Sequence, residues 1–146
     1  MIAPVWDVAH QWLTAYTYAV DTADLDALAR LCTDVTVGTP NGQTASGEAL
    51  ADIYRSLVVA PDEAGRLRSK HHISNLDVKL LSEDHAVSRA YYLVLSEFDG
   101  APAIASTGRY VGKLARQEGT WVVTTHTVVR DLARSTPLAS TSGRGG

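Results

Sequence analysis

The chain has 146 residues, of which 45% are hydrophobic and 20% charged, with a formal net charge of −3. That is one domain of ordinary globular composition, with enough apolar side chain to build a core. Acids and bases are interspersed with no basic stripe to neutralise a phosphate backbone, no run approaches the roughly 20 apolar residues of a membrane span, and a lone Cys32 excludes an intrachain disulfide, so nucleic acid and membrane are not expected as partners.

At the N-terminus, MIAPVWDVAHQW lacks the basic and continuous apolar regions of a signal peptide, so the expected compartment is cytoplasmic. Val5, Val8, Trp12, Ala15, Tyr16 and Ala19 recur at three- and four-residue steps, which predicts an amphipathic helix over residues 5–20, with Pro4 suited to its start. Asp21 and Thr22 interrupt the pattern. Asp24 then reads as the N-cap of a shorter helix holding Leu25, Leu28, Leu31 and Cys32, and Asp21 lies at the corner between the two. Val35 and Val37 alternate with polar residues as a short strand, and Pro40-Asn41-Gly42 reads as its hairpin turn. A third helix is predicted over residues 48–58, with Leu50, Ile53, Tyr54 and Leu57 on one face. The polar stretch 60–69 is expected to loop over a pocket mouth.

The second half changes period from helical to alternating. Strands are predicted at 69–81, 86–98, 103–116 and 121–130, joined by Ser82-Glu83-Asp84-His85, Asp99-Gly100 and Gln117-Glu118-Gly119-Thr120. Long strands joined by tight turns make an antiparallel meander, which must cover one face with something apolar, and the helices of the first half are the available cover. The expectation is an α+β domain over residues 1–132, three helices packed on a curved, mostly antiparallel sheet. Residues 133–146, rich in Ser, Thr and Gly, read as a flexible tail.

Helices laid over such a sheet leave a cone. Polar side chains pointing into it are either hydrogen-bonded structure or functional groups. The candidates are Tyr16, Tyr18, Asp21, Tyr54, His71, His72, Asn75, Tyr91, Tyr92, Tyr110, His126 and Arg130. Adjacent His71 and His72 diverge, no carboxylate sits at ligand spacing, and no metal site is expected.

The order of elements and the segments YTYAVDTADLDALARL, KHHISN and WVVTTHTVVRD resemble the SnoaL-like branch of the NTF2-like superfamily over residues 5–131. That branch includes scytalone dehydratase, bile acid dehydratases, polyketide cyclases and ketosteroid isomerase relatives. The likeness is nearest to the dehydratases, which carry a tyrosine on the first helix, an aspartate at its end and a histidine starting a central strand. It implies that Tyr16, Asp21 and His71 are the catalytic set, and that Arg130 corresponds to the arginine near the end of the bile acid enzymes. A second pocket aspartate of those enzymes has no clear equivalent; Tyr91 and Tyr92 occupy its region. The second histidine of the scytalone enzyme and the late acid of the polyketide cyclases are also without counterpart.

The residue types suit that chemistry. Dehydration of a β-hydroxy ketone needs a base for the proton beside the carbonyl, a donor for the developing enolate oxygen and an acid for the leaving hydroxyl. An imidazole can take the proton and return it, a carboxylate can orient the imidazole, and a phenol in a dry pocket can stabilise the oxyanion. Asp21 serves either this role or the closing of the helix corner. Strand alternation lets only one of His71 and His72 point inward. Parity with Leu76, Val78 and Leu80 favours His72, the resemblance favours His71, and a bulge at the strand start would reconcile the two.

The resulting expectation is a cofactor-independent lyase or isomerase of the dehydratase type, acting on a small cyclic or polyketide-like substrate. His71 is expected as base, Asp21 as its partner and Tyr16 as oxyanion donor, with Tyr54, His72, Asn75, Tyr91, His126 and Arg130 contacting the substrate. A cyclase of secondary metabolism and a non-catalytic small-molecule-binding module are the alternatives. Tyr91, Leu93 and Leu95 fall on one face of their strand, Tyr92 and Val94 on the other. Two apolar faces imply two partners, so a homo-oligomer is expected, a dimer through the sheets or a trimer.

Overall fold

Pro4 sits in an extended conformation just ahead of the first helix, where its carbonyl accepts from the Val8 N–H at 3.1 Å. The computed structural model describes residues 3–134. The tail expectation therefore falls, beyond Arg134, outside the described residues. Helix α1 (Val5–Asp21) buries Ala9, Leu13, Tyr16 and Val20, one stripe at four-, three- and four-residue steps. Helix α2 (Leu25–Leu31) is capped as its sequence predicts, with Asp24 accepting from the Ala27 N–H at 3.0 Å. Helix α3 (Gly47–Tyr54) buries Leu50, Ala51 and Tyr54. It ends four residues earlier than expected, where the Leu57 and Val58 N–H groups both return to the Tyr54 carbonyl at 2.9 Å. The β-branched pair Val58-Val59 and the Ala60-Pro61 dipeptide that follows disfavour another helical turn.

Strands β1 (Thr36–Gly38) and β2 (Thr44–Ala45) form the expected hairpin around Pro40-Asn41-Gly42. Strands β3 (Ser69–Leu80), β4 (His85–Phe98), β5 (Ala101–Gln117) and β6 (Thr120–Ala133) form the long antiparallel meander. The sheet order is β2-β1-β6-β5-β4-β3. One pairing was not foreseen: β1 runs parallel to β6, Val37 opposite His126. The β4–β5 and β5–β6 turns are two-residue loops, Asp99-Gly100 (φ 50° and 77°) and Glu118-Gly119 (φ 51° and 80°). Positive φ at both positions matches the twist of the flanking strands, so β5 begins two residues earlier than its hydrophobic pattern suggests.

The three helices cover one face of this sheet, which makes the chain an α+β fold. Leu13, Leu28, Leu50 and Tyr54 pack against Ala90, Tyr92, Tyr110 and Val128. Ala9, Ala86, Leu114 and Trp121 form a second, smaller cluster between α1 and the sheet. The inner face of β4 and β5 is lined with small residues, Ala86, Ser88, Ala90, Gly108 and Gly112, which lets helices and large side chains approach closely. Gly108 is the tightest of these. A Cβ there would lie 2.0 Å from the Val129 carbonyl oxygen and 2.8 Å from the Tyr92 ring and hydroxyl. Gly108→Ala is expected to lower stability by about 1–3 kcal/mol through forced backbone displacement, read as a lower urea midpoint; an unchanged midpoint contradicts this packing.

Candidate active site

Asp21 is the last residue of α1 and is buried. A carboxylate there faces the negative end of the helix dipole and is withdrawn from water, two unfavourable placements at once. Its compensation comes from the start of β3. The His71 backbone N–H donates to Oδ2 at 2.9 Å, and His71 Nδ1 lies 2.5 Å from Oδ1. Both side chains are largely shielded, with exposures of 14% for His71 and 8% for Asp21. One carboxylate thus fixes the main chain and the ring of the same residue. With Asp21 ionised, Nδ1 carries the proton of this bond, and Nε2 presents a lone pair.

The choice between the two histidines follows from a bulge. Opposite β4, the register shifts between Ser74 and Asp77, so Asn75 and Leu76 oppose the single residue Ala90. Asn75 absorbs the kink at φ 58°. Before the bulge the odd residues Ser69, His71 and Ile73 face inward; after it the even residues Leu76 and Val78 do. The alternation rule is right on each side, but the bulge lies within the strand and not at its start. His72 is accordingly exposed, on the opposite face from His71, and Asn75 is exposed in the bulge. Tyr91 is 56% exposed on the outer face. These three expected substrate contacts do not reach the cavity.

His71 lines a cavity of about 200 Å³ between α1, α3 and the sheet. Tyr16 from α1 and Tyr54 from α3 meet there, hydroxyl to hydroxyl, in a buried hydrogen bond. Their rings are edge-on at 6.2 Å, and the Tyr110 ring stands edge-on to Tyr16 at 5.9 Å. Burial pushes the Tyr16 and Tyr110 phenols well above their ordinary range and Tyr54 up to about 12. All three are therefore neutral hydrogen-bond donors at physiological pH. Since one hydroxyl of the Tyr16–Tyr54 pair donates to the other, one phenolic proton remains for a ligand.

Tyr92, not Tyr91, supplies the β4 side of the cavity, because His71 pairs across the ladder with Val94 and thereby puts the even residues of β4 inside. Tyr92 stacks on Tyr110 at 4.6 Å and 19°. Burial raises its pKa, opposed by the neighbouring Ser106 hydroxyl and Arg130 guanidinium. The hydroxyls of Ser69 and Ser96, 3.3 Å apart, add to the polar lining. Sequence reasoning gave these serines no role, and only the register assigns them. The mouth is bordered by Pro40, Leu57, Val58 and Val59. The stretch expected to loop over it, from Asp62 to Arg68, lines an adjoining cleft instead.

On β6 the stride His126, Val128, Arg130 has its first two residues buried and Arg130 exposed at the cavity. Arg130 lines the cavity. His126 is 1% exposed and sits behind the wall, its ring 4.6 Å from Tyr16 and 4.8 Å from both Tyr110 and Trp12. Burial lowers its pKa to about 3, and neither its Nε2 nor the buried Trp12 Nε1 has a hydrogen-bond partner among the described residues. Nor do the described residues contain a cluster of three His, Cys, Asp or Glu able to hold a metal ion. No helix of the described residues is long and apolar enough to cross a membrane.

Residues 8–127 match the family model described as the SnoaL-like domain. Solved structures share the fold at low identity. A protein of unknown function with a cystatin-like fold from Nostoc punctiforme is 16% identical, with 90% of this chain and 96% of that one covered and a TM-score of 0.68. ActVI-ORFA from Streptomyces coelicolor is 16% identical, with 87% and 97% covered and a TM-score of 0.67. A provisionally assigned scytalone dehydratase from Novosphingobium aromaticivorans is 20% identical, with 96% and 94% covered and a TM-score of 0.60. No curated protein matches the chain.

Proposed function

We propose that this chain, which belongs to the SnoaL-like domain family, is a cofactor-independent dehydratase acting on a small cyclic β-hydroxy carbonyl compound. The observation that carries this reading is the shielded Asp21–His71 pair, 2.5 Å between Oδ1 and Nδ1, whose His71 lines a cavity that also presents the protonated Tyr16–Tyr54 pair. A base, its orienting carboxylate and an oxyanion donor then share one water-poor site.

In the proposed reaction His71 Nε2 takes the proton beside the substrate carbonyl. The free phenolic proton of the tyrosine pair stabilises the enolate oxygen, and Asp21 balances the imidazolium. The enolate collapses to the double bond, the β-carbon–oxygen bond breaks, and the imidazolium returns its proton to the leaving hydroxyl, which departs as water. The product is the conjugated enone, and the enzyme ends as it began. Isomerisation would use the same base with the proton returned to carbon, and aldol cyclisation would use the same enolate. The test is incubation with one- and two-ring β-hydroxy ketones, followed by enone absorbance. Release of water and enone that depends on His71 supports the dehydratase; no conversion of any member of the panel, with the folded protein present, would count against it.

We further infer that the protein works as a homodimer joined through the sheets. The outer face exposes Tyr91 at 56% and Val111 at 39%, with Leu93 beside Tyr91 partly buried, and the helices cover only the other face. Light scattering at micromolar concentration should give twice the chain mass of 15.6 kDa; a particle of 15.6 kDa contradicts the pairing.

A further inference from the structure

The active-site cavity has an unusual charge pattern. Among its lining residues there is no aspartate or glutamate, and Arg130 is the one permanent cation. Asp21 stands behind His71 and does not line the cavity. Arg130 has no carboxylate partner among the described residues: the neighbouring Asp131 lies on the other face of β6, held by Arg109 through two bonds of 2.9 Å. Arg55, Arg66, Arg68 and Arg89 are likewise each paired to an acid, and Arg116 and Arg134 lie over the Trp121 and Phe98 rings; Arg30, on the exposed surface away from this cavity, also has no acid partner among the described residues. A guanidinium left unpaired at an apolar pocket, beside the hydroxyls of Tyr92 and Ser106, suits a ligand that brings its own planar anion.

Size and shape narrow the ligand further. The cavity of about 200 Å³ exceeds the roughly 150 Å³ that accommodates benzene and falls below the roughly 300 Å³ at which drug-sized sites begin. Tyr92 and Tyr110, stacked at 4.6 Å, form a flat aromatic pair along one side. We propose that the substrate is a planar one- or two-ring carboxylate, with its carboxylate held by Arg130 at the mouth and its rings between the stacked tyrosines and His71. The reacting carbon at His71 rests on the dehydratase reading above; the anion subsite does not.

The experiment is a calorimetric titration at pH 7.5 with 2-naphthoate and with 2-naphthamide, which keeps the rings and removes the charge. The acid is expected to bind about tenfold or more tightly than the amide, the difference a charge-assisted pair supplies. Arg130→Gln should bring the two ligands to within about twofold, by weakening the acid alone. His71→Asn should keep the preference for the acid, because the subsite lies apart from the base. Equal binding of acid and amide to the wild type, a preference that survives Arg130→Gln, or no binding of either ligand overturns the proposal. An Arg130-dependent preference in a protein whose turnover is indifferent to His71 would instead leave the subsite standing and remove the dehydratase chemistry.

Discussion

Replacing His71 by alanine is expected to lower turnover by roughly 10²–10⁴-fold, the usual cost of a lost general base, with the fold preserved. The fold should survive because the strand start keeps its own anchor, the backbone N–H of residue 71 on Asp21 Oδ2 at 2.9 Å. Asp21→Asn should also be strongly impaired. The amide can accept from the ring but cannot balance the charge of the imidazolium, and it can stabilise the wrong tautomer by offering a donor to Nδ1. If the two residues act as one unit, the double variant should be little worse than His71→Ala alone, because removing the orienting group of an absent base removes nothing further. His72→Ala should leave turnover near wild type, since that side chain is exposed on the opposite face of β3. Measuring kcat/KM for the four variants, with circular dichroism to verify folding, decides the matter. Full activity of either His71→Ala or Asp21→Asn would end the acid–base role, and a large loss in His72→Ala would exchange the two histidines.

Acidification from pH 6.5 to pH 4.5 should cost this protein roughly 2–3 kcal/mol of stability through His126 alone. Burial lowers the pKa of this imidazole from 6.5 to about 3 in the folded chain. Between those values the unfolded chain binds a proton that the folded chain refuses, so the contribution is complete above pH 6.5 and is lost as pH falls towards 3, at about 1.4 kcal/mol per unit. Among the described residues burial is the one cause of this shift and no charge offsets it: the ring's aromatic neighbours are Trp12 and Tyr16 on α1 and Tyr110 on β5, and both phenols stay neutral. The window is clear of the lowered carboxylates Asp62 and Asp131, whose unfolded value of 3.8 lies below it. Urea unfolding at pH 6.5, 5.5 and 4.5 should therefore show a steep fall in the wild type and a shallower one in His126→Phe, whatever the absolute stability of the variant. Parallel slopes for the two proteins would mean that His126 is protonated in the fold and lies in a wetter place than its 1% exposure indicates.

Much of this candidate site is legible in the sequence because some of its residues break the local pattern around them. Asp21, which interrupts an amphipathic pattern at the corner between two predicted helices, stands out before any coordinate is seen. The long strands, their Asp-Gly and Glu-Gly turns and the Asp24 cap are likewise local, set by neighbours a few residues apart. Tyr16 and Tyr54 are each visible as inner-face helix residues. Their meeting is not visible, since it depends on how α1 and α3 lie over the sheet, 38 residues apart in the chain.

What the sequence by itself determined is therefore the set of elements and the α+β class; it nominated Tyr16, Asp21, Tyr54 and Arg130 for the candidate site and left His71 and His72 as alternatives. What only the tertiary structure decided is the direction in which the strand residues look. A period of two gives two faces and no label for either, and on β4 both faces carry apolar residues, so Tyr91 and Tyr92 are equivalent until the ladder sets His71 opposite Val94. A single extra residue at Asn75 reverses the parity of β3 and hands the site to His71 where simple alternation gives it to His72. The parallel seat of β1 on β6 depends likewise on contacts between distant segments. Register and bulges are settled by the packing of the whole sheet against its helices, and that information is spread over the chain and not written at any one position.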